Sequence, residues 1–178
     1  MPKSTFAGHP LHPMLIVAPA ALIPFAFVLD AMHRSTRDTS YSKAAYYSLV
    51  GGLAGGVAAG VAGAMDYLTI APETEVKRTA NVHAILNGGA LALTAFSTLS
   101  RRNTPAHRGG SLALTGIAAL GVLVSSWFGG RMVYEQGMRV KGVSPVADAP
   151  ELKPPGDELL QQAMLKEERL VTASGPAM

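Results

Sequence analysis

The chain has 178 residues and a formal net charge of +3, with 48% hydrophobic residues, 15% charged residues and no cysteine. The missing cysteine excludes disulfides, cysteine-ligated iron–sulfur clusters, c-type haem attachment and zinc ribbons. The Lys and Arg residues lie mostly in short stretches between apolar runs and form no basic cluster, which argues against nucleic-acid binding.

Four long windows of the sequence contain no Asp, Glu, Lys or Arg. They cover residues 4–29, 44–65, 79–100 and 109–130, which is more than half of the chain. A helix on the surface of a soluble protein needs a charged face, whereas about 20 apolar residues cross the roughly 30 Å hydrocarbon layer of a membrane. The pattern therefore predicts an all-α fold, an integral membrane four-helix bundle.

The first span is predicted at residues 13–32, after a stiff entry at residues 9–13. Pro13 suits a first helical turn, because an N–H at that point has no intrahelical partner in any case. Pro19 and Pro24 lie inside the span and are expected to bend it. The remaining spans are predicted at residues 43–69, 79–99 and 111–134.

Rows of small residues, spaced four apart, lie on the second and fourth spans. They are Gly52, Gly56 and Gly60 on the second, and Gly121, Ser125 and Gly129 on the fourth. Residues four apart share one helix face, and small residues allow two helices to approach closely. The rows predict that the second and fourth spans cross in tight contact.

The spans define a transmembrane domain at residues 1–136 and a tail at residues 137–178. Prolines between residues 143 and 156 predict an extended polar linker, and residues 157–171 are predicted to form a short amphipathic helix. The tail as a whole is expected to be mostly disordered. Its helix is a candidate for docking on the bundle, for lying on the membrane surface or for contacting a partner.

The two halves of the transmembrane domain resemble each other. Aligning His12 with His83 requires an offset of 71 residues, and aligning residues 63–67 with 130–134 requires an offset of 67. Loop length absorbs the difference. The match predicts two repeated helical hairpins in parallel orientation, related by a pseudo-twofold axis along the membrane normal.

Chain direction brings most polar residues of the spans to one membrane face. With four spans, both termini lie on the side where the first and third spans start and the second and fourth end. The candidate cofactor-binding residues on this face are His9, His12, Asp66, His83 and Asn87, and all of these except Asn87 are candidate metal ligands. Ionisable residues at or inside a span are costly, so they are functional candidates.

Arg131 and Glu135 are expected to form an ordinary ion pair between successive helical turns, and His33 and His107 on the opposite face are expected to be solvated.

Three kinds of chemistry fit the candidates, beside a purely structural role. Imidazoles bind iron, copper, zinc or nickel, and Asp66 is suited to ligate the metal or to orient a ring. His12 and His83 are equally suited to axial ligation of haem b. His and Asp also relay protons or hydrogen-bond a quinone ring. The structural alternative is that histidines beside prolines cap a helix and lie among lipid headgroups.

The entry at residues 8–13 reads Gly-His-Pro-Leu-His-Pro, the segment at residues 63–67 contains Asp66, and His83 precedes Asn87 by one helical turn. Over residues 8–136 the chain resembles a bacterial family of small four-span predicted membrane proteins of unknown function. Some relatives carry or neighbour a Rieske-type ferredoxin domain, so the resemblance implies membrane-associated electron transfer in the inner (plasma) membrane. It also implies roles for His9, His12, Asp66, His83 and Asn87. Without cysteine this chain cannot hold a Rieske cluster, so a redox role needs a partner or a separate cofactor.

These observations predict a multi-pass membrane protein that binds haem b or a transition metal through His12 and His83, with Asp66 as an orienting or proton-accepting group. The alternative is a non-catalytic membrane scaffold or accessory subunit without a cofactor. A small transporter is disfavoured, because no charged residue lies near the middle of a span. The expected partners are the lipid bilayer and either a redox protein or further copies of the chain.

Two further observations concern enzyme activity and the orientation of the protein in the membrane. No nucleophile–base constellation is apparent, which argues against an enzyme. The two membrane faces carry six basic residues each, so the positive-inside rule does not decide which face is cytoplasmic.

Overall fold

The computed structural model describes residues 3–104, 112–140 and 151–152, together with residues 162, 165 and 166. Its helices are α1 (Leu11–Leu15), α2 (Val17–Thr36), α3 (Thr39–Tyr67), α4 (Glu75–Arg101) and α5 (Leu112–Tyr134). Helices α1 and α2 together form one span, Leu11–Thr36, so the described residues contain four helices long and apolar enough to cross a membrane. The prediction of an all-α four-helix membrane fold is confirmed.

The short interruption between α1 and α2 has a cause in the sequence. Pro19 has no N–H, so it cannot donate to the carbonyl of Leu15, at which α1 ends. The chain nevertheless continues in helical geometry, because the N–H of Ile16 bonds to His12 and the carbonyl of Ile16 accepts from Ala20. The first span therefore begins two residues before the predicted start and still places Pro13 in the first turn.

Capping residues explain why the next two helices begin before the charge-free windows do. Asp38 precedes α3 and accepts a hydrogen bond from the Ser40 N–H at 2.8 Å. Thr74 precedes α4 and accepts from the Lys77 N–H at 3.1 Å. Side-chain oxygens at this position satisfy N–H groups that have no intrahelical partner, so polar residues start both membrane helices.

The four long helices pack in a closed ring in the order α2, α3, α4, α5. The predicted contact between the second and fourth spans is wrong, because α3 and α5 lie diagonally opposite. The glycine rows face adjacent helices instead. A Cβ on Gly52 would meet Ile23, a Cβ on Gly56 would meet Leu91, and a Cβ on Gly121 would meet Ala90. Sequence spacing identified the close-packing faces but did not identify their partners.

The interior of the bundle is built mainly from small residues, and most large apolar side chains point outwards. Ala26, Ala45 and Ser125 are fully buried, whereas Val17, Ile85 and Trp127 are between 61% and 73% exposed. Such an exposed apolar surface is unfavourable in water. It suits a lipid environment, in which helix association depends on close packing of small residues.

A small sheet packs against α1 and α3 at the end of the bundle where the histidines lie. Strands β1 (Lys3–Phe6), β2 (His9–Pro10) and β3 (Glu151–Leu152) are arranged in the order β2–β1–β3. The first two are antiparallel and β1 pairs with β3 in parallel. Neither the strands nor the turn between β1 and β2 was predicted from the sequence. Of the predicted tail helix, only residues 162, 165 and 166 are described, and they are helical; the rest of that prediction lies outside the described residues.

Candidate histidine site

His12 and His83 each place Nδ1 against a backbone carbonyl of the next helix in their hairpin, and Nδ1 of His83 lies in addition 3.0 Å from the Ser125 hydroxyl oxygen. The Nδ1 atom of His12 lies 2.8 Å from the backbone oxygen of Ala59 in α3. The Nδ1 atom of His83 lies 2.8 Å from the backbone oxygen of Ser125 in α5. A carbonyl oxygen only accepts hydrogen bonds, so each Nδ1 carries a proton, and in a neutral imidazole Nε2 then presents a lone pair. Both imidazoles therefore have the same tautomer.

A glycine one turn beyond each carbonyl makes room for the ring. A Cβ on Gly63 would lie 2.8 Å from Nδ1 of His12, and a Cβ on Gly129 would lie 3.2 Å from Cε1 of His83. These contacts make Gly63 equivalent to Gly129, at an offset of 66 residues. The predicted alignment of Gly63 with Gly130 was therefore wrong by one residue. The alignment of His12 with His83 holds, because each ring contacts a carbonyl and a glycine at equivalent positions of the next helix.

The two histidine rings meet each other across the bundle. Their centroids are 6.0 Å apart and their planes are nearly perpendicular, at 88°. His12 belongs to the first span and His83 to the third, which are not neighbours in the ring of helices. The pair therefore lies between the two hairpins, at the end of the bundle where the sheet packs against α1 and α3.

Asn87 makes the two imidazoles unequal. Its Nδ2 lies 3.0 Å from Nε2 of His83 and 3.1 Å from the His83 backbone oxygen, so one amide group donates to both acceptors. The equivalent position in the first hairpin, 71 residues earlier, is Ile16. Among the described residues, no hydrogen bond involves Nε2 of His12. His83 thus has both ring nitrogens engaged, while His12 has an available lone pair.

The structure brings His12, His83 and Asn87 together, but it does not place His9 or Asp66 with them. His9 is exposed on strand β2. Asp66 is buried, and its Oδ1 accepts from the Ser4 N–H at 3.3 Å, from the Ser4 hydroxyl at 3.2 Å and from Arg139 Nη2 at 2.6 Å. It anchors β1 and the segment after α5 to the end of α3. In the described part of the chain, no cluster of three or more His, Asp or Glu side chains is arranged to hold a metal ion.

A buried ion pair at the opposite end of the bundle was missed by the sequence analysis. Both guanidinium Nη atoms of Arg101 bond to the Asp30 carboxylate, at 2.8 and 3.0 Å, and Ser97 accepts a further bond from Arg101 at 2.8 Å. The side chains of Arg101 and Asp30 are 1% and 2% exposed. Asp30 and Arg101 are also 71 residues apart. Applying the histidine offset to Asp30 would have identified Arg101 as its equivalent.

The two central pairs lie at opposite ends of the bundle. Eighteen residues separate His12 from Asp30, and the same number separates His83 from Arg101. That is about 27 Å of helix, close to the roughly 30 Å thickness of the hydrocarbon layer. Equivalent positions of the first and third spans thus meet at both ends of the bundle, as an approximate twofold axis between these spans requires.

Two smaller predictions concern the ends of the helices. The ion pair between Arg131 and Glu135 is confirmed, with 3.0 Å between Nε and Oε2. Arg131 also bonds to Glu75 of α4 at 2.9 Å. His33 lies outside any cluster, with Nδ1 2.8 Å from the backbone oxygen of Asp38, and His107 lies outside the described residues.

Comparison with known families accounts for most of the chain. Residues 8–142 match the family described as predicted membrane protein (DUF2231). The chain belongs to this family. The match begins at the first residue of the Gly-His-Pro-Leu-His-Pro entry and continues through all four spans. No curated protein and no solved structure matches the chain. Membership in the family therefore supports the membrane fold, and chemistry has to be argued from the site.

The contacts between Nδ1 and a backbone carbonyl fix the orientation of both imidazoles. In metal sites, the ring nitrogen that is not a ligand usually donates to a backbone carbonyl or carboxylate, which fixes the tautomer and the direction of the other nitrogen. His12 and His83 both have this arrangement. Since each Nδ1 contacts a carbonyl, ligation would use the Nε2 atoms, and at His83 it would require Asn87 to give up its hydrogen bond to Nε2.

Proposed function

We propose that the protein binds a transition-metal ion through Nε2 of His12 and Nε2 of His83 and serves membrane-associated electron transfer. The observation that carries the proposal is the repeated Nδ1–H···O=C contact of the two rings. Their separation also fits one shared ion. With metal–nitrogen distances of about 2.0–2.1 Å, two imidazole ligands have ring centroids roughly 5–6.5 Å apart, depending on the angle at the metal, and the observed separation is 6.0 Å.

The packing around the rings favours a single ion over haem b. A porphyrin would have to fit between two rings that are each packed against a glycine of a neighbouring helix, His12 against Gly63 and His83 against Gly129. It would also have to displace Asn87 from Nε2 of His83. An ion between the rings requires only the second of these changes.

The location of the site supports a redox role. The histidines lie about a full membrane thickness from the Asp30–Arg101 pair, so they are near one face and within reach of a redox protein in the adjoining aqueous phase. Copper or iron bound by imidazole would supply the electron-transfer chemistry. The resemblance to relatives linked to Rieske-type domains agrees with such a partner, because this chain has no cysteine for a cluster of its own.

The second candidate function is a membrane scaffold or accessory subunit without a cofactor. It is favoured by one observation, namely that each histidine already bonds to a backbone carbonyl of the neighbouring helix. In this account the imidazoles only connect the helices of each hairpin. Assembly would use the open glycine positions Gly60, Gly88 and Gly89, where an added Cβ meets nothing within 4 Å.

The four apolar helices support a multi-pass membrane location, and we propose the bacterial plasma membrane with both termini on one side. Support for the placement of the termini comes from the pairing of β1 with β3. This pairing joins the beginning of the chain to the segment after the fourth span.

The proposed function is tested by the metal content and absorption spectrum of the purified full-length protein. The test variants are His12→Gln and His83→Gln, since glutamine retains a side-chain N–H donor for the backbone carbonyl. The controls are His9→Ala on the same face and His33→Ala on the other. We expect about one ion per chain in the wild type and both controls, and loss of the ion in each Gln variant. Wild-type protein that remains metal-free and colourless after exposure to copper, iron, zinc and haem would contradict the proposal and favour the scaffold.

A further inference from the structure

We propose that the end of the bundle remote from the histidines binds the headgroups of anionic phospholipids. This basic end comprises residues 30–43 and 101–104, and the side chains that would contact the lipid are Arg34, Arg37, Lys43 and Arg102. Three features support lipid binding: an excess of positive charge, the lack of ion-pair partners for these four residues, and the tyrosines beside them. Binding at this end is independent of metal binding at the other.

The positive charge of the basic end is exposed and uncompensated. Arg34 lies in the last turn of α2, Arg37 follows that helix, Lys43 lies near the start of α3 and Arg102 follows α4; all four are exposed. Among the described residues, none of their side chains forms an ion pair. The exposed carboxylate at this end is that of Asp38, which caps α3. Four cations thus face one anion at the surface.

The charges at the histidine end balance each other instead. Arg131 bonds to Glu75 and Glu135, and Arg139 bonds to Asp66. Over residues 66–78 and 131–139 together, acidic and basic residues are equal in number. At the basic end there are five basic residues and two acidic ones, and the buried ion pair there adds no net charge. The net positive charge of the bundle is therefore concentrated at one end.

Tyrosines beside the basic residues indicate that this end lies at the boundary between lipid chains and headgroups. Lys43 and Tyr47 are one turn apart on α3 and both are exposed, so they share one outer face of the helix. The ring of Tyr47 contacts that of Tyr46, with centroids 5.4 Å apart. Tyrosine concentrates at membrane interfaces, and Lys and Arg side chains extend from such positions towards the headgroups. Lys43 is nearer the start of α3 than Tyr47 is, which places it on the headgroup side.

Anionic phospholipids complement this surface in charge and in geometry. A guanidinium donates two parallel hydrogen bonds to a phosphate, and an ammonium group attracts it as a point charge. Each basic residue near an anionic membrane surface contributes roughly a fivefold gain in affinity. A membrane is favoured over an acidic protein because the basic residues lie at the ends of membrane-spanning helices, at the level where the phosphates are.

Quenching of tryptophan fluorescence by lipids with brominated chains tests the proposal, since it measures which lipids contact a chosen position. The chain has one tryptophan. This residue, Trp127, is 61% exposed on α5 and reports on lipids towards the histidine end. Tyr47→Trp combined with Trp127→Phe moves the reporter to the basic end, where Tyr47 is 59% exposed. Each full-length protein is reconstituted in phosphatidylcholine vesicles with increasing fractions of brominated phosphatidylglycerol or, as the reference, brominated phosphatidylcholine.

We expect phosphatidylglycerol to quench the Tyr47→Trp reporter at a lower fraction than phosphatidylcholine does, and the two lipids to quench Trp127 alike. Exchange of the four basic residues for glutamine should abolish the preference, and each single exchange should reduce it by up to about fivefold. High salt should also weaken it. Arg78→Gln is the matched control, because Arg78 is exposed at the histidine end, and it should leave the preference unchanged.

Equal quenching of the Tyr47→Trp reporter by the two lipids would overturn the proposal, as would a preference that survives the fourfold exchange. Unchanged quenching by brominated phosphatidylcholine shows that the fourfold variant is inserted; if it is not, the four single variants decide. A preference that millimolar inorganic phosphate abolishes would identify a site for free phosphate and would likewise overturn binding of lipid headgroups.

Discussion

Gly63 and Gly129 determine how closely the histidine rings approach the neighbouring helices. At each position the ring occupies the space that a side chain would need, and the space is tighter at Gly63. Helix propensity alone would favour alanine at both positions by roughly 0.5–1 kcal/mol. The close approach explains why glycine is required, and it ties the position of the rings to two residues that have no side chain.

We expect Gly63→Ala to destabilise the bundle by about 1–3 kcal/mol, because the added methyl group overpacks against His12. Gly129→Ala should have a smaller effect, since its nearest contact is longer. Gly60→Ala on the same helix as Gly63 is the control and should be neutral or slightly stabilising, because nothing lies within 4 Å of the added carbon. Thermal unfolding in detergent measures all three. Equal midpoints for Gly63→Ala and Gly60→Ala would contradict the close packing of the His12 ring against Gly63.

Asp38 provides a pH-dependent contribution at the opposite end of the molecule. The Ser40 backbone N–H, with smaller contributions from the Ser40 side chain and the charge of His33, holds the pKa of this carboxyl below its ordinary value. A group whose pKa is lower in the folded state stabilises the fold above its unfolded pKa. The contribution is lost as the pH falls through the folded pKa.

The cap is tested with Asp38→Ala and Asp38→Asn. Alanine removes the acceptor and should lower the unfolding midpoint at pH 7, whereas asparagine keeps a neutral acceptor and should come close to the wild type. The difference between wild type and Asp38→Ala should shrink when the pH is lowered to about 3 and below. A difference that is the same at pH 7 and pH 3 would show that the carboxylate charge has no part in the cap.

Among the helices, the repeat explains the placement of the polar residues better than the individual spans do. Equivalent positions of the first and third spans meet as His12–His83 at one end and as Asp30–Arg101 at the other. The second and fourth spans supply the equivalent carbonyls and glycines for the two histidines. Each hairpin thus contributes half of each central pair.

The buried ion pair should behave differently from an exposed one. Asp30→Asn leaves the Arg101 charge buried and uncompensated, so we expect a loss of about 3–5 kcal/mol. Replacing both residues by leucine should recover most of that loss, because the double variant has no buried charge. Glu135→Gln is the control at the exposed pair with Arg131 and should cost at most about 1 kcal/mol. Equal thermal midpoints for Asp30→Asn and Glu135→Gln in detergent would contradict this account.

Helix existence could be predicted from the sequence, while helix partners could not. Charge-free windows are a property of each span alone, and they located all four. Helix packing depends on which face of each helix meets which neighbour, and four-residue spacing is equally compatible with several neighbours. Gly56 therefore contacts Leu91 of α4 rather than the fourth span. The sheet was missed because its strands are only two to four residues long and one comes from the tail.

The candidate site was predicted in part for a related reason. His12 and His83 were paired because the repeat put them in equivalent places, and the structure brings them together. Asp66 and His9 were grouped with them only because they share a membrane face. A shared membrane face fixes how deep a residue lies in the membrane, but it does not fix the direction in which its side chain points. The Asp66 carboxylate bonds to Ser4 and Arg139 instead.

For the whole molecule, the topology predicts which segments share a side of the membrane. Both termini should lie on one side, and the connection between α4 and α5 should lie on the other. Reporter fusions at Thr104 and at the C-terminus should therefore give opposite signals, and an N-terminal tag should agree with the C-terminal one. Equal signals at Thr104 and at the C-terminus would contradict four membrane crossings.

The central claim is that two equivalent histidines, one from each hairpin, bind one metal ion. Elemental analysis of the full-length protein tests it most directly, before and after exposure to copper, iron and zinc, with His12→Gln, His83→Gln and the control His9→Ala. We expect about one ion per chain in the wild type and in His9→Ala, and none in either Gln variant although both remain folded. Wild-type protein that takes up no metal, or Gln variants that retain it, would contradict the claim.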